Sequence, residues 1–197
     1  MESNRALASS LKGERGFTAF TVLELLVVIT IIVILAGLIL ATTGYVEKKG
    51  ARSRAESEIA AMSAAMESYK ADNGIYPSSS DTNALDPTSN LNPAATPTPN
   101  AYTKASLYLY EQLSGDTTGN RQPSAKSYFT FKPNMLLPAP PSNATVTAIR
   151  DPFGNSYGYS TMKASNPANN GYNPTYDLWS TASGTTTNDV PGWVKNW

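Results

Sequence analysis

A single carboxylate interrupts the most apolar stretch of this chain. Glu24 stands near the start of a run covering residues 20–41, and residues 25–46 carry no charge at all. That is about the length a membrane helix needs. An ionised side chain at membrane depth costs about 3 kcal/mol, so a Glu in such a run is a functional group by default. The plain alternative is a signal anchor whose Glu lies at the interface, where the cost is small. Little other chemistry competes. The chain has no His and no Cys, which removes the commonest bases, nucleophiles and zinc ligands. It has no phosphate-binding loop, dinucleotide fingerprint or nucleophile elbow. Its aspartates and serines fall in turn-rich segments, where they favour bonds to the backbone. An enzyme is not expected. Formal net charge is zero with 15% charged residues, so there is no basic footprint for nucleic acid.

The element that positions Glu24 is a helix that does not stop at the end of the apolar run. From Ala51 the pattern turns amphipathic: Ala51, Ala55, Ile59, Met62, Met66 and Tyr69 recur at spacings of three and four. Asn73-Gly74 supplies the stop. A continuous helix from about Phe20 to Asp72 is expected, its second half packed on a globular head. Gly37 and Thr42-Thr43-Gly44 are its weak points, since Gly lowers helix stability by about 1 kcal/mol. The 197 residues leave room for one ordinary domain beyond the apolar helix. Residues 78–104 read as a polar loop, and 106–113 as a short helix with Leu107, Tyr110 and Leu113 on one face. Residues 128–131 read as a strand and 133–143 as irregular and Pro-rich. Gly154-Asn155 reads as a hairpin turn between strands at 146–150 and 156–161, with a third strand at 176–180.

The run Phe20-Thr21-Val22-Leu23-Glu24-Leu25-Leu26-Val27-Val28-Ile29 resembles the N-terminal signature of type IV pilins and type II secretion pseudopilins. Two further segments strengthen the likeness. Tyr69-Lys70-Ala71-Asp72-Asn73-Gly74-Ile75-Tyr76-Pro77 is similar to the helix exit of the major pseudopilin. Asp151-Pro152-Phe153-Gly154-Asn155 with Tyr176-Asp177-Leu178-Trp179-Ser180 resembles its paired head strands, and Trp193-Val194-Lys195-Asn196-Trp197 its C-terminus. Many type IVa pilins close a C-terminal loop with a disulfide, and the absence of Cys leans towards pseudopilins.

The resemblance implies an α+β fold: a long N-terminal helix, membrane half plus amphipathic half, packed on a small antiparallel β-sheet head. It implies a cytoplasmic leader at 1–19, removed by a prepilin peptidase, and N-methylation of the new first residue. Gly16-Phe17 also looks like a cleavage site, but cutting there makes Glu24 the eighth residue, whereas cutting between Ala19 and Phe20 makes it the fifth, as the family has it. The register has a physical reason. A terminal amine entering an apolar filament core needs a carboxylate on a neighbouring subunit, because an unpaired buried charge costs far more than a paired one. Residues 20–46 then form the transmembrane and assembly helix, and 47–197 the head, with its amphipathic helix at 47–73, variable loop at 78–104 and β-sheet region at 126–197. The implied function is a structural subunit of a type II secretion pseudopilus; the alternative is a subunit of a surface filament for adhesion, motility or DNA uptake.

Implied partners are copies of the chain itself, minor pseudopilins, the prepilin peptidase, the inner-membrane assembly platform and, before assembly, membrane lipid. The implied location is the bacterial inner membrane with the head exported. Charge alone does not orient the chain, because Lys48, Lys49, Arg52 and Arg54 outnumber Arg5, Lys12 and Arg15 of the leader. Calcium is the one cofactor the resemblance brings, in the loop after the last strand. That loop offers Asp189 as its leading ligand and Ser183 near where an Asp is usual. A cofactor is not required on this reading.

Overall fold

A computed structural model describes residues 20–89, 92–94, 99–184 and 186–197. The expected leader, with Ala19, lies outside the described residues. The chain divides into two compact units between Gly44 and Tyr45, inside helix α1 (Val22–Asn73).

In the first unit, α1 is helical through Gly37 and up to Gly44. Every side chain described there is exposed, from Leu23 at 71% to Ile39 at 64%. A helix apolar on all sides is at home in a core or a membrane. This one is long and apolar enough to cross a membrane.

In the second unit, α1 keeps only a stripe of apolar residues. Ala55, Ile59, Met62, Ala65 and Met66 are buried, and Ala51 and Tyr69 are half-buried at its ends. The helix stops at Asn73 because Gly74 adopts φ +79° and its N–H caps the Lys70 carbonyl at 2.8 Å. The stripe shares one core with Leu109, Tyr110 and Leu113 of α3 (Ala101–Ser114) and with Ile149, Tyr157, Tyr159, Leu178 and Val194. A second cluster joins Leu85, Tyr102, Ala105, Trp179 and Trp193. The Trp179 and Trp193 rings lie parallel with centroids 6.0 Å apart, and Trp179 Nε1 donates to Tyr102 Oη at 3.1 Å. Gly158 makes this possible, since a Cβ there would sit 2.2 Å from the Trp179 ring.

The sheets are small. β1 (Leu136–Leu137) pairs antiparallel with β2 (Ala148–Ile149), while β3 (Gly158–Ser160), β4 (Asp177–Ser180) and β5 (Val194–Lys195) form a separate antiparallel sheet in that order. The expected α+β architecture holds, but the expected single sheet is two. The 151–155 turn is where they part. Asp151 N–H donates to the Asn155 carbonyl at 2.8 Å, and Arg150 bridges Ser156 before β3 diverges to β4.

Three local expectations are corrected. The segment 78–104 is not simply a loop: it holds α2 (Ser80–Ala84) and the first turn of α3. That helix begins five residues before the expected Ser106, because Asn100 and Thr103 cap it reciprocally at 3.0 and 2.9 Å. Residues 128–131 are not a strand. The Tyr128 and Phe129 N–H groups both donate to the Leu113 carbonyl, and Phe129 and Phe131 pack edge-to-face instead. Finally, β1 lies in the 133–143 segment read as irregular.

Candidate assembly site

Glu24 is placed by the start of α1, and the sequence carries a local signal for the way it is held. Thr21 and Glu24 form a capping box. Thr21 N–H and Thr21 Oγ1 donate to Glu24 Oε2 at 3.0 and 3.1 Å, and Glu24 N–H donates to Thr21 Oγ1 at 3.1 Å. Thr-x-x-Glu ahead of an apolar run is the sequence signal for this arrangement. Both bonds to the carboxylate go to Oε2, so among the described residues Oε1 is left for a second partner. Phe20 precedes the box and is 80% exposed. Ala19 lies outside the described residues, so the proposed scissile bond is not described. Further along, Thr30 Oγ1 donates back to the Leu26 carbonyl at 2.8 Å and satisfies itself within the helix.

Asp189, the expected metal ligand, is also a helix cap. It belongs to a 3₁₀ turn (Thr187–Gly192), and its Oδ2 accepts from Thr186 N–H at 2.9 Å and from Thr186 Oγ1 at 2.8 Å. The loop 181–189 contains no second carboxylate, Ser183 is exposed, and Thr185 lies outside the described residues. A cavity of about 350 Å³ is lined by Thr181, Ala182, Ser183, Gly184, Asn188 and Asp189. Thr181 Oγ1 is buried without a partner among the described residues. Calcium takes six to eight oxygens, with several carboxylates where affinity is high. One carboxylate already bonded twice and one hydroxyl do not fit that demand. Among the described residues, no three His, Cys, Asp or Glu side chains gather into a metal-holding group.

Carboxylates buried or half-buried elsewhere in the head do structural work. Asp151 accepts from Phe153 and Asn155 N–H on Oδ1 and from Ser180 Oγ on Oδ2, which ties the hairpin turn to β4. Asp177 accepts from Tyr172 and Asn173 N–H at 2.9 and 2.8 Å. Burial pushes both above the usual carboxylate range, with the hydrogen bonds pulling the other way. Glu58, on the head part of α1, accepts from Tyr157 Oη at 2.8 Å and is raised for the same reason.

Two curated proteins show what this arrangement is similar to. The type II secretion system core protein G of Pectobacterium carotovorum subsp. carotovorum is 35% identical over 79 residues, which is 39% of this chain and 51% of that protein. The protein of the same name from Aeromonas hydrophila is 37% identical over 89 residues, 45% of this chain and 60% of that protein. The likeness is to a type II secretion pseudopilin. The chain spans about half the length of the curated relatives it matches. Both relatives are named as secretion-system components, not as enzymes. No family model and no solved structure matches the chain.

Proposed function

We propose that the chain is a structural subunit of a type II secretion pseudopilus that polymerises through its N-terminal helix and supports protein export. The observation that carries this reading is the first half of α1: an apolar surface exposed on all sides, with one carboxylate a turn from its start and Oε1 of that carboxylate left for a partner. Cleavage between Ala19 and Phe20 by a prepilin peptidase creates an amine at Phe20, which becomes N-methylated. Glu24 of a neighbouring copy neutralises that amine when subunits stack. Residues 20–46 hold the subunit in the inner membrane before assembly, and 47–197 form the exported head. Copies of the chain, minor pseudopilins and the assembly platform are its partners. The likeness to core protein G gives this reading precedence over a surface filament.

Glu24→Ala is the direct test. Membrane insertion should persist, because the change removes a costly group from an apolar segment. Head folding should persist too, since the hydrogen bonds of Glu24 among the described residues are local, to Thr21. Assembly should fall by about 100-fold or more, the consequence of leaving a buried charge unpaired. Cross-linking of filaments and a secretion assay read the result. Normal filaments from the variant would sink the role of Glu24, and a mature N-terminus at Phe17 by mass spectrometry would sink the register.

A further inference from the structure

We propose that the head dispenses with calcium because protein donors fasten the 180–193 loop in its place. The inference concerns folding of the head alone and does not rest on the subunit reading above. The loop is tied down at four points. At its start, Ser180 Oγ donates to the buried Asp151 carboxylate and accepts from Ala182 N–H at 3.1 Å. Next, Asn155 reaches over from the hairpin turn, and its Nδ2 donates to the Ala182 carbonyl at 3.0 Å. Ala182 takes φ +53°, a conformation that a non-Gly residue holds only when its surroundings fix it. In the middle, Thr186 and Asp189 close their reciprocal cap, with Asp189 N–H donating to the Thr186 carbonyl at 2.9 Å. At the end, a cation is already present. The Arg52 guanidinium, on α1, donates to the Gly192 carbonyl at 2.7 Å and the Trp193 carbonyl at 3.4 Å, and pairs with Glu56 at 3.3 Å.

The chemistry these contacts perform is what a bound divalent ion does for a loop: it collects carbonyl and carboxylate oxygens from distant points of the chain and fixes their spacing. Here the Thr181, Ala182, Thr186 and Gly192 carbonyls each accept from a protein N–H. The sole carboxylate of the loop serves as a cap. Gly184 presses the same point home, since a Cβ there would meet Asp189 Cβ at 2.4 Å. Thr181 Oγ1 beside the cavity is suited to a water, which needs only two to four polar partners.

The full-length chain in detergent micelles tests this, with melting followed by the near-ultraviolet signal of the buried tryptophans. Exchanging excess calcium for a chelator should move the melting temperature by no more than about 2 °C. Asp189→Ala should lower it by about 3 °C, the size of a lost cap, and by the same amount in calcium and in chelator. The Asn155 side chain bonds a carbonyl and not a carboxylate, so Asn155→Ala should behave alike, which keeps the test open if the Asp189 variant does not fold. A larger drop on chelation of the parent protein overturns the proposal, as does a variant effect confined to calcium. Variants as stable as the parent overturn the fastening role.

Discussion

The two halves of α1 share one backbone geometry and differ in what covers them. From Leu25 to Ile39 the described side chains are exposed and all are apolar but Thr30. After Tyr45 it carries charge on the outside and a stripe from Ala55 to Met66 that its own head covers completely. Burial of apolar surface contributes roughly 25 cal/mol per Å², whoever supplies the cover. The second half collects that contribution within the chain. The first half has no such cover among the described residues, and on the proposed reading lipid or other copies supply it. Helix propensity alone would favour the Ala-rich second half over the Val- and Ile-rich first half, so what sets the first half apart is its uncovered apolar surface.

The sharpest way to break the comparison is a matched pair of truncations. Met62 is fully buried, so Met62→Ala should cost about 2–5 kcal/mol and lower the melting temperature of the head by about 6 °C or more. Ile32, at 58% exposure, loses as many or more carbon atoms in Ile32→Ala and should leave head melting unchanged within error. Calorimetry of both variants decides it. A comparable drop for Ile32→Ala would mean that the first half is not energetically separate from the head.

What was legible in the sequence follows the same division. The stripe from Ala55 to Tyr69, the Gly74 stop and the 151–155 turn were readable because periodicity and turn chemistry are local. β1 was not, because two residues between prolines become a strand only through pairing with Ala148 and Ile149. The Tyr-Phe-Thr-Phe alternation at 128–131 looked like a strand, but the Leu113 carbonyl takes the N–H groups that a neighbouring strand would need. The first turn of α3 hid in a polar stretch, and its buried Tyr102 finds its partner, Trp179, far along the chain. At the candidate site, the importance of Glu24 was plain from its isolation in an apolar run. Its bond to Thr21, and the bond of Asp189 to Thr186, were equally written as Thr-x-x-acid patterns. The pattern fixes a local bond only, and a carboxylate in a cap can also face a second partner that the sequence does not name.

Charge offers a second and smaller way to sharpen the contrast. Asp151 and Asp177 are buried by the packing of the head, and desolvation raises both. A raised folded-state pKa contributes stability that is fully present below the unfolded value, near 3.8, and is lost as pH rises through the folded value. These groups therefore favour the folded head as pH falls from neutrality towards the ordinary carboxylate range. Asp86 works in the opposite direction: its burial is outweighed by hydrogen bonds from Thr88 and Asn170. The comparison is best made against a variant. Asp177→Asn should flatten the profile, gaining less melting temperature than the parent between about pH 7 and pH 5. An unchanged profile would show that Asp177 titrates alike in folded and unfolded chains.

The smallest expected effect separates the two roles that the first half of α1 gives to Glu24. The carboxylate caps its own helix through Thr21, and on the proposed reading it also receives the Phe20 amine of another copy. Glu24→Ala removes both roles at once and cannot tell them apart. Thr21→Val removes the hydroxyl that bonds Glu24 Oε2 and Glu24 N–H, keeps the size of the side chain, and leaves the carboxylate in place. A lost cap costs about 1 kcal/mol, or roughly fivefold in assembly, against about 100-fold for the unpaired amine. The two variants should therefore differ by an order of magnitude or more when filament yield is compared at equal membrane levels of subunit. If Thr21→Val instead abolished filaments as fully as Glu24→Ala, capping would account for the whole requirement. Glu24 would then matter for starting its own helix, and the pairing between copies would have to be found elsewhere on the apolar surface.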